Sequence, residues 1–156
     1  MRRRKADRRE VPPDPKFNSP MVHRFVAIVM THGQKSVAEK IVYNALELLA
    51  QKSGEENAIK ALNKVLDNVR PRLEVKPRRV GGATYQVPVE VSVPRGNSLA
   101  LRWIRDFARN KKGKPMQSKL ADELLMAYKG EGSAMKKRDE VHKMADANKA
   151  FSHLRW

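Results

Sequence analysis

The sequence contains no cysteine in its 156 residues. This absence excludes a disulfide framework, a thiolate zinc site, an iron–sulfur cluster and a cysteine nucleophile. A run of about 18 apolar residues is also missing, so we expect no transmembrane helix. The basic N-terminus is not followed by an apolar stretch, which is atypical of a signal peptide, and we expect a cytoplasmic chain.

Acidic residues are scarce relative to basic ones. The chain has 33 Lys and Arg against 17 Asp and Glu, for a formal net charge of +16. Self-repulsion on this scale favours a polyanion as the partner, since a polyanion neutralises it. A chain of this length buries roughly two-thirds of its unfolded surface, so one domain forms a core without metal or disulfide.

The excess positive charge is unevenly distributed. Residues 1–16 and 70–98 each carry a net +4, residues 99–119 carry a net +6, and residues 35–69 are neutral. Segregation of this kind is typical of a shaped surface that faces phosphate, and not of uniform solubility.

Hydrophobic periodicity predicts a six-helix bundle, with the first three helices well delimited. Ser19-Pro20 begins the first, because a capping hydroxyl precedes proline at the first helical position. A capping box of Ser36 and Glu39 predicts the start of the second. The third covers 58–69, and the remaining three cover about 94–110, a stretch that ends near 129, and 134–148.

Between the third and fourth helices the hydrophobic period changes from 3.6 to 2. Two alternating runs flank Gly81-Gly82, which predicts a hairpin turn because both residues readily take positive φ. Pro77 and Pro88 cannot donate to a sheet ladder, so neither strand is central in a larger sheet. We therefore expect a mainly α fold with a protruding two-stranded antiparallel β-hairpin arm over about 72–91.

The chain ends have different expected properties. Residues 1–18 lack a hydrophobic period and contain three prolines, so we expect a basic extended arm that is disordered until it binds a partner. Residues 19–148 are expected to form a single helical domain, and residues 149–156 a flexible C-terminal tail.

The fourth helix carries the most informative cation pattern. On a helical wheel Arg102, Arg105 and Arg109 lie at 40–100° when Leu101 is placed at 0°, nearly opposite the apolar residues. A solvated helix face is the ordinary alternative, but such faces normally mix signs. We interpret the three arginines, called the arginine stripe below, as a phosphate-binding row.

Other basic groups extend this predicted surface. The N-terminal arm is polybasic, without the amphipathic apolar face of a membrane anchor. The hairpin has cations near its tip, and Tyr85 there is placed to stack on a base, although strand tyrosines more often pack. The segment after the fourth helix and one side of the sixth add lysines. The predicted contacts beyond the stripe are Arg2, Arg3, Arg4, Lys5, Arg8, Arg9, Arg72, Lys76, Arg78, Arg79, Lys111, Lys112, Lys114, Lys119, Lys136 and Lys143.

Catalysis has little support in the sequence. The four histidines show no metal-ligand spacing, and we expect no cofactor, metal or small-molecule substrate. The adjacent carboxylates Asp122 and Glu123 diverge on a helix, and we interpret both as solvated surface. The chain is therefore not expected to be an enzyme.

Several motifs resemble one known family. The segment Arg78-Arg79-Val80-Gly81-Gly82-Ala83-Thr84-Tyr85-Gln86-Val87-Pro88 and the ending Met144 to Trp156 are similar to bacterial small-subunit ribosomal protein seven, over essentially the whole chain. The family usually has Gly-Lys-Lys after its first helix, where this chain has Gly33-Gln34-Lys35.

The resemblance implies a primary binder of small-subunit ribosomal RNA that nucleates the 3′ major domain, the head, and it adds Lys35 and Arg95 to the RNA contacts. It implies that the hairpin tip faces the exit-site tRNA and the mRNA channel, through Val80, Gly81, Gly82, Ala83, Thr84 and Tyr85. The C-terminal residues Phe151, His153, Arg155 and Trp156 are implied to face a protein partner, the platform protein numbered eleven. A free RNA-binding repressor of the chain's own messenger stays open as an alternative.

The arginine stripe generates a first prediction. Replacing Arg102, Arg105 and Arg109 with Gln should weaken RNA binding and lower the slope of log affinity against log salt by about 0.7–0.9 per lost phosphate contact. Filter binding at several salt concentrations measures this slope. An unchanged slope would remove the stripe from the interface.

Overall fold

The computed structural model of the chain describes residues 9–154, and within them it confirms a mainly helical fold with one hairpin. The helices are α1 (Pro20–Val29), α2 (Lys35–Ser53), α3 (Ala58–Val69), α4 (Val93–Asn110), α5 (Met116–Tyr128) and α6 (Ser133–Ala147). The strands are β1 (Leu73–Val80) and β2 (Ala83–Glu90), and a 3₁₀ helix over Lys149–Leu154 follows α6.

The core is organised around α5, which packs against α2, α3, α4 and α6. Leu120 and Leu124 of α5 are fully buried, and burial of each contributes about 2 kcal/mol. The buried face of α1, centred on Phe25, packs against α2 and α4. The helices thus form one continuous core, and the cation-rich segments lie at its edges.

The first two helix starts differ in detail from the sequence prediction. Ser19 does occupy the capping position of α1, but its side chain makes no capping bond. The predicted capping box of Ser36 and Glu39 is wrong, because α2 already begins at Lys35 with Gln34 as its cap. Glu39 instead lies 3.6 Å from the ammonium group of Lys35, one turn earlier.

The hairpin forms with the predicted turn. β1 and β2 pair antiparallel from Leu73↔Glu90 to Val80↔Ala83, and Gly81 and Gly82 both have positive φ, at 57° and 87°. The sheet contains these two strands only, within the described part of the chain, so both proline-containing strands are edges. A two-stranded ribbon is marginal alone, and here β1 rests on α6 while β2 contacts the 3₁₀ helix.

A buried ion pair joins three elements at one end of the bundle. Glu123 of α5 is fully buried, so its interpretation as solvated surface is wrong. One carboxylate oxygen lies 2.6 Å from Lys111 Nζ and the other accepts a 3.2 Å hydrogen bond from the backbone N–H of Ala134, in the first turn of α6. The carboxylate therefore fixes the segment after α4 and the start of α6.

We expect Glu123→Gln to lower the free energy of unfolding by about 3 kcal/mol, because it leaves the Lys111 cation mostly buried without its counter-ion. Urea denaturation measures the change. The double variant Glu123→Gln/Lys111→Met removes both charges and should recover most of the loss. A double variant as unstable as the single one would contradict the ion-pair explanation.

Candidate nucleic-acid interface

Four arginines meet at a cleft between α1 and the first turns of α4. Arg9, Arg24, Arg95 and Arg102 line this space of about 580 Å³, which we call the arginine cleft. Its other lining residues are serine, proline and leucine, so no carboxylate of the described chain lines it. Arg95 is paired with Glu74, which lies outside this lining, but the like charges of Arg9, Arg24 and Arg102 converge at an electrostatic cost that a phosphate group in the cleft would offset.

Arg24 is the member of this cleft that the sequence analysis missed. It is the single cation of residues 17–34, so no charge cluster drew attention to it. A usable signal is present nevertheless, because Arg24 lies between the buried Val22 and Phe25 of an otherwise apolar helix without an acidic neighbour in the sequence.

The arginine stripe is divided between two tasks. Arg102 lines the cleft, whereas Arg105 donates to the carbonyl of Ile28 at 3.2 Å and Arg109 to that of Val29 at 3.0 Å. These carbonyls belong to the last turn of α1, where they have no partner within the helix and where the helix dipole favours a cation. RNA binding by the whole stripe stays a prediction, but two of its members also hold α1 against α4.

The hairpin cations are partly engaged at the base of the ribbon. Arg95 Nε donates to both oxygens of Glu74 at 2.9 and 2.8 Å, and Lys76 Nζ lies 3.1 Å from the same carboxylate. Burial raises the pKa of Glu74, but the hydrogen bonds and charges of Arg95 and Lys76 outweigh it, and the net pKa lies below the ordinary value. Arg72 and Arg79 are exposed.

The tip of the hairpin contacts the C-terminal 3₁₀ helix. The rings of Tyr85 and Phe151 have centroids 5.3 Å apart with a 50° angle between planes. Tyr85 therefore packs within the chain, and its predicted stacking on a base is not tested by this geometry. Val80 to Thr84 are exposed.

The segment after α4 folds back on α5. Lys114 Nζ lies 2.8 Å from Asp122, whose other oxygen lies 3.4 Å from Lys52 Nζ. The hydrogen bond from Lys114 has the largest effect on the pKa of Asp122, and with Lys52 it outweighs burial, so this pKa is lowered. Lys112 is exposed. With Lys111 bound to Glu123, the segment offers RNA fewer cations than its sequence suggests.

The remaining predicted contacts lie further apart. Lys35 is exposed despite its pairing with Glu39, and Lys119 is half-buried in α5. Lys136 and Lys143 are exposed on α6, and His153 is exposed in the 3₁₀ helix. Seven predicted residues lie outside the described part of the chain, namely Arg2, Arg3, Arg4, Lys5, Arg8, Arg155 and Trp156, and Arg9 is the first described residue.

Comparison with known proteins identifies the family of the chain. The model of the family described as ribosomal protein S7p/S5e matches residues 1–149. The small ribosomal subunit protein uS7 of Fervidobacterium nodosum is 57% identical over 156 residues, with 100% of both chains covered. The protein of the same name from Thermosipho africanus is 55% identical over the same length, and that from Idiomarina loihiensis is 54% identical over 155 residues.

The chain belongs to the S7p/S5e family of ribosomal proteins. Membership confirms the predicted family, a structural role in the small ribosomal subunit and the absence of an enzymatic one. None of the described helices is both long and apolar enough to span a membrane.

The division of the stripe predicts unequal stability effects. Arg105→Gln and Arg109→Gln should each lower the free energy of unfolding by about 1 kcal/mol, because each leaves a carbonyl of α1 without its donor. Arg102→Gln should stay within about 0.5 kcal/mol of the parent chain. Urea denaturation of the three variants measures this, and equal losses would contradict the division.

Proposed function

We propose that the chain is a primary binder of the 3′ major domain of small-subunit ribosomal RNA and nucleates folding of the head. The observation that carries this is the arginine cleft, where Arg9, Arg24 and Arg102 converge with Arg95, which is itself paired with Glu74, and where no carboxylate is among the described lining residues. Guanidinium groups bind phosphate bidentately, so a cleft of this composition suits a phosphate backbone.

The mechanism is neutralisation of phosphates by several separate surfaces on one rigid body. The cleft lies between α1 and α4. The exposed Arg72 and Arg79 lie on the ribbon, and the exposed Lys112 follows the C-terminal end of α4. Each surface binds a different RNA segment, and each contact releases condensed counter-ions. Segments that repel one another are then held together because the protein fixes the distance between their binding surfaces.

The exposed turn of the hairpin supports a second role. Val80 to Thr84 project from the bundle beyond the Tyr85–Phe151 contact. We assign this tip to the exit-site tRNA and the mRNA channel, and Phe151, His153, Arg155 and Trp156 to protein eleven. Both assignments rest on the family resemblance.

Binding of a 3′ major domain transcript tests the main assignment. Arg24→Gln/Arg102→Gln should lower the slope of log affinity against log salt by about 1.4–1.8, the sum of two phosphate contacts. The control Lys40→Gln/Lys60→Gln removes two exposed charges from α2 and α3 and should leave the slope nearly unchanged.

Equal slopes for the cleft variant and the control would mean that net charge, and not the cleft, sets the affinity. Nucleotide footprinting of the same complexes gives an independent readout, since only loss of the cleft should expose a discrete RNA segment. Failure of the parent chain to protect the transcript would overturn the proposed function.

A further inference from the structure

A buried carboxylate lies just inside the N-terminal arm. Asp14 is 1% exposed although prolines and charged residues surround it in the sequence. One of its oxygens accepts a 2.7 Å hydrogen bond from the hydroxyl of Tyr43 in α2. The other accepts hydrogen bonds from the backbone N–H groups of Lys16 and Phe17, both at 3.1 Å. We call this group of contacts the arm anchor.

Further contacts with α2 surround the arm anchor. The ring of Phe17 packs edge-on against that of Tyr43, with centroids 5.6 Å apart. Lys16 pairs with Glu47 of α2, and its Nζ lies 5.2 Å from the Tyr43 ring centroid. Burial and the neighbouring Asp14 raise the pKa of Tyr43 to about 12, so the phenol keeps the proton that it donates.

The arm anchor lies five residues after Arg9, the cation that reaches the arginine cleft. Five extended residues span at most about 17 Å, whereas the eight residues from Arg9 to Phe17, the next residue that packs on Tyr43, span about 28 Å. Asp14 therefore shortens the chain between the body and Arg9 from eight residues to five. The other predicted arm cations precede Arg9 in the sequence.

We propose that Asp14 and Tyr43 are positioning residues of the RNA interface: their hydrogen bond fixes where the N-terminal arm leaves the bundle, so that Arg9 is held at the arginine cleft. This inference rests on the proposed function, since it assumes that the cleft and the arm bind RNA. Asp14 and Tyr43 thus contribute to RNA binding although neither residue contacts the RNA.

The expected effect follows from tether length. The effective concentration of a tethered group falls as about the −3/2 power of the length of its linker, so lengthening the free chain from five residues to eight lowers it about twofold. Loss of the arm anchor should weaken RNA binding by about this factor. The number of phosphate contacts does not change, so the slope against log salt should stay the same.

The experiment uses Tyr43→Phe, which deletes one hydroxyl and keeps the ring contact with Phe17. Its matched control is Tyr128→Phe in α5, since Tyr128 also donates to a carboxylate, that of Glu55, at 2.9 Å, and also carries a lysine over its ring. Both variants lose one comparable bond. Tyr43→Phe should bind the 3′ major domain transcript about twofold more weakly, whereas Tyr128→Phe should bind as the parent does.

Asp14→Ala gives a second, stronger variant. It raises the net positive charge by one, which by itself would tighten RNA binding, so a weaker affinity identifies a loss of positioning. A variant in which all six arm cations are Gln provides the background test: there, Tyr43→Phe should have no further effect on affinity. The six residues are Arg2, Arg3, Arg4, Lys5, Arg8 and Arg9.

Two results would overturn the inference, and they have different consequences for the proposed function. If the arm variant weakens binding but Tyr43→Phe equals Tyr128→Phe, the positioning role is wrong and the proposed function stands. If the arm variant binds as tightly as the parent, the RNA role of the arm is wrong and the positioning role falls with it. Thermal denaturation of each variant checks that the affinities refer to folded protein.

Discussion

The bundle depends on the burial of α5 among four other helices. Leu120 and Leu124 face this core, and Glu123 lies between them in the sequence of the same helix. Glu123 is taken fully inside, and it requires both Lys111 and the N-terminus of α6 as partners. The packing of one helix thereby determines where the chain leaves α4 and where α6 begins.

Local signals predicted the elements well. The positive φ of Gly81 and Gly82 and the alternation around them are properties of a few consecutive residues, and the hairpin formed as expected. The boundaries of α3 at Ala58 and Val69 were also predicted, because its apolar stripe ends at a proline. The capping box at Ser36 failed because the cap of α2 is Gln34, two residues earlier.

Contacts between distant residues could not be read from the sequence. A helical wheel correctly separated the arginine stripe from the apolar face, but the carbonyls that Arg105 and Arg109 bind lie in α1, 77 and 80 residues earlier. Glu123 looked like surface for the same reason. The net charge of a segment takes no account of the carboxylates and carbonyls elsewhere in the chain that bind its cations. It therefore overstates the number of cations that are available to a phosphate. Arg24 shows the converse, since a lone cation becomes part of a cluster only once the helices pack.

The contact between Tyr85 and Phe151 has a mechanical consequence. Tyr85 pairs with Arg78 across the ribbon, so only two further pairs, Arg79↔Thr84 and Val80↔Ala83, lie beyond this support. The ribbon is supported by α6 along β1 and again near its turn by the 3₁₀ helix. Bending is then confined to the few residues of the turn, and a force applied to the turn is transmitted to the 3₁₀ helix.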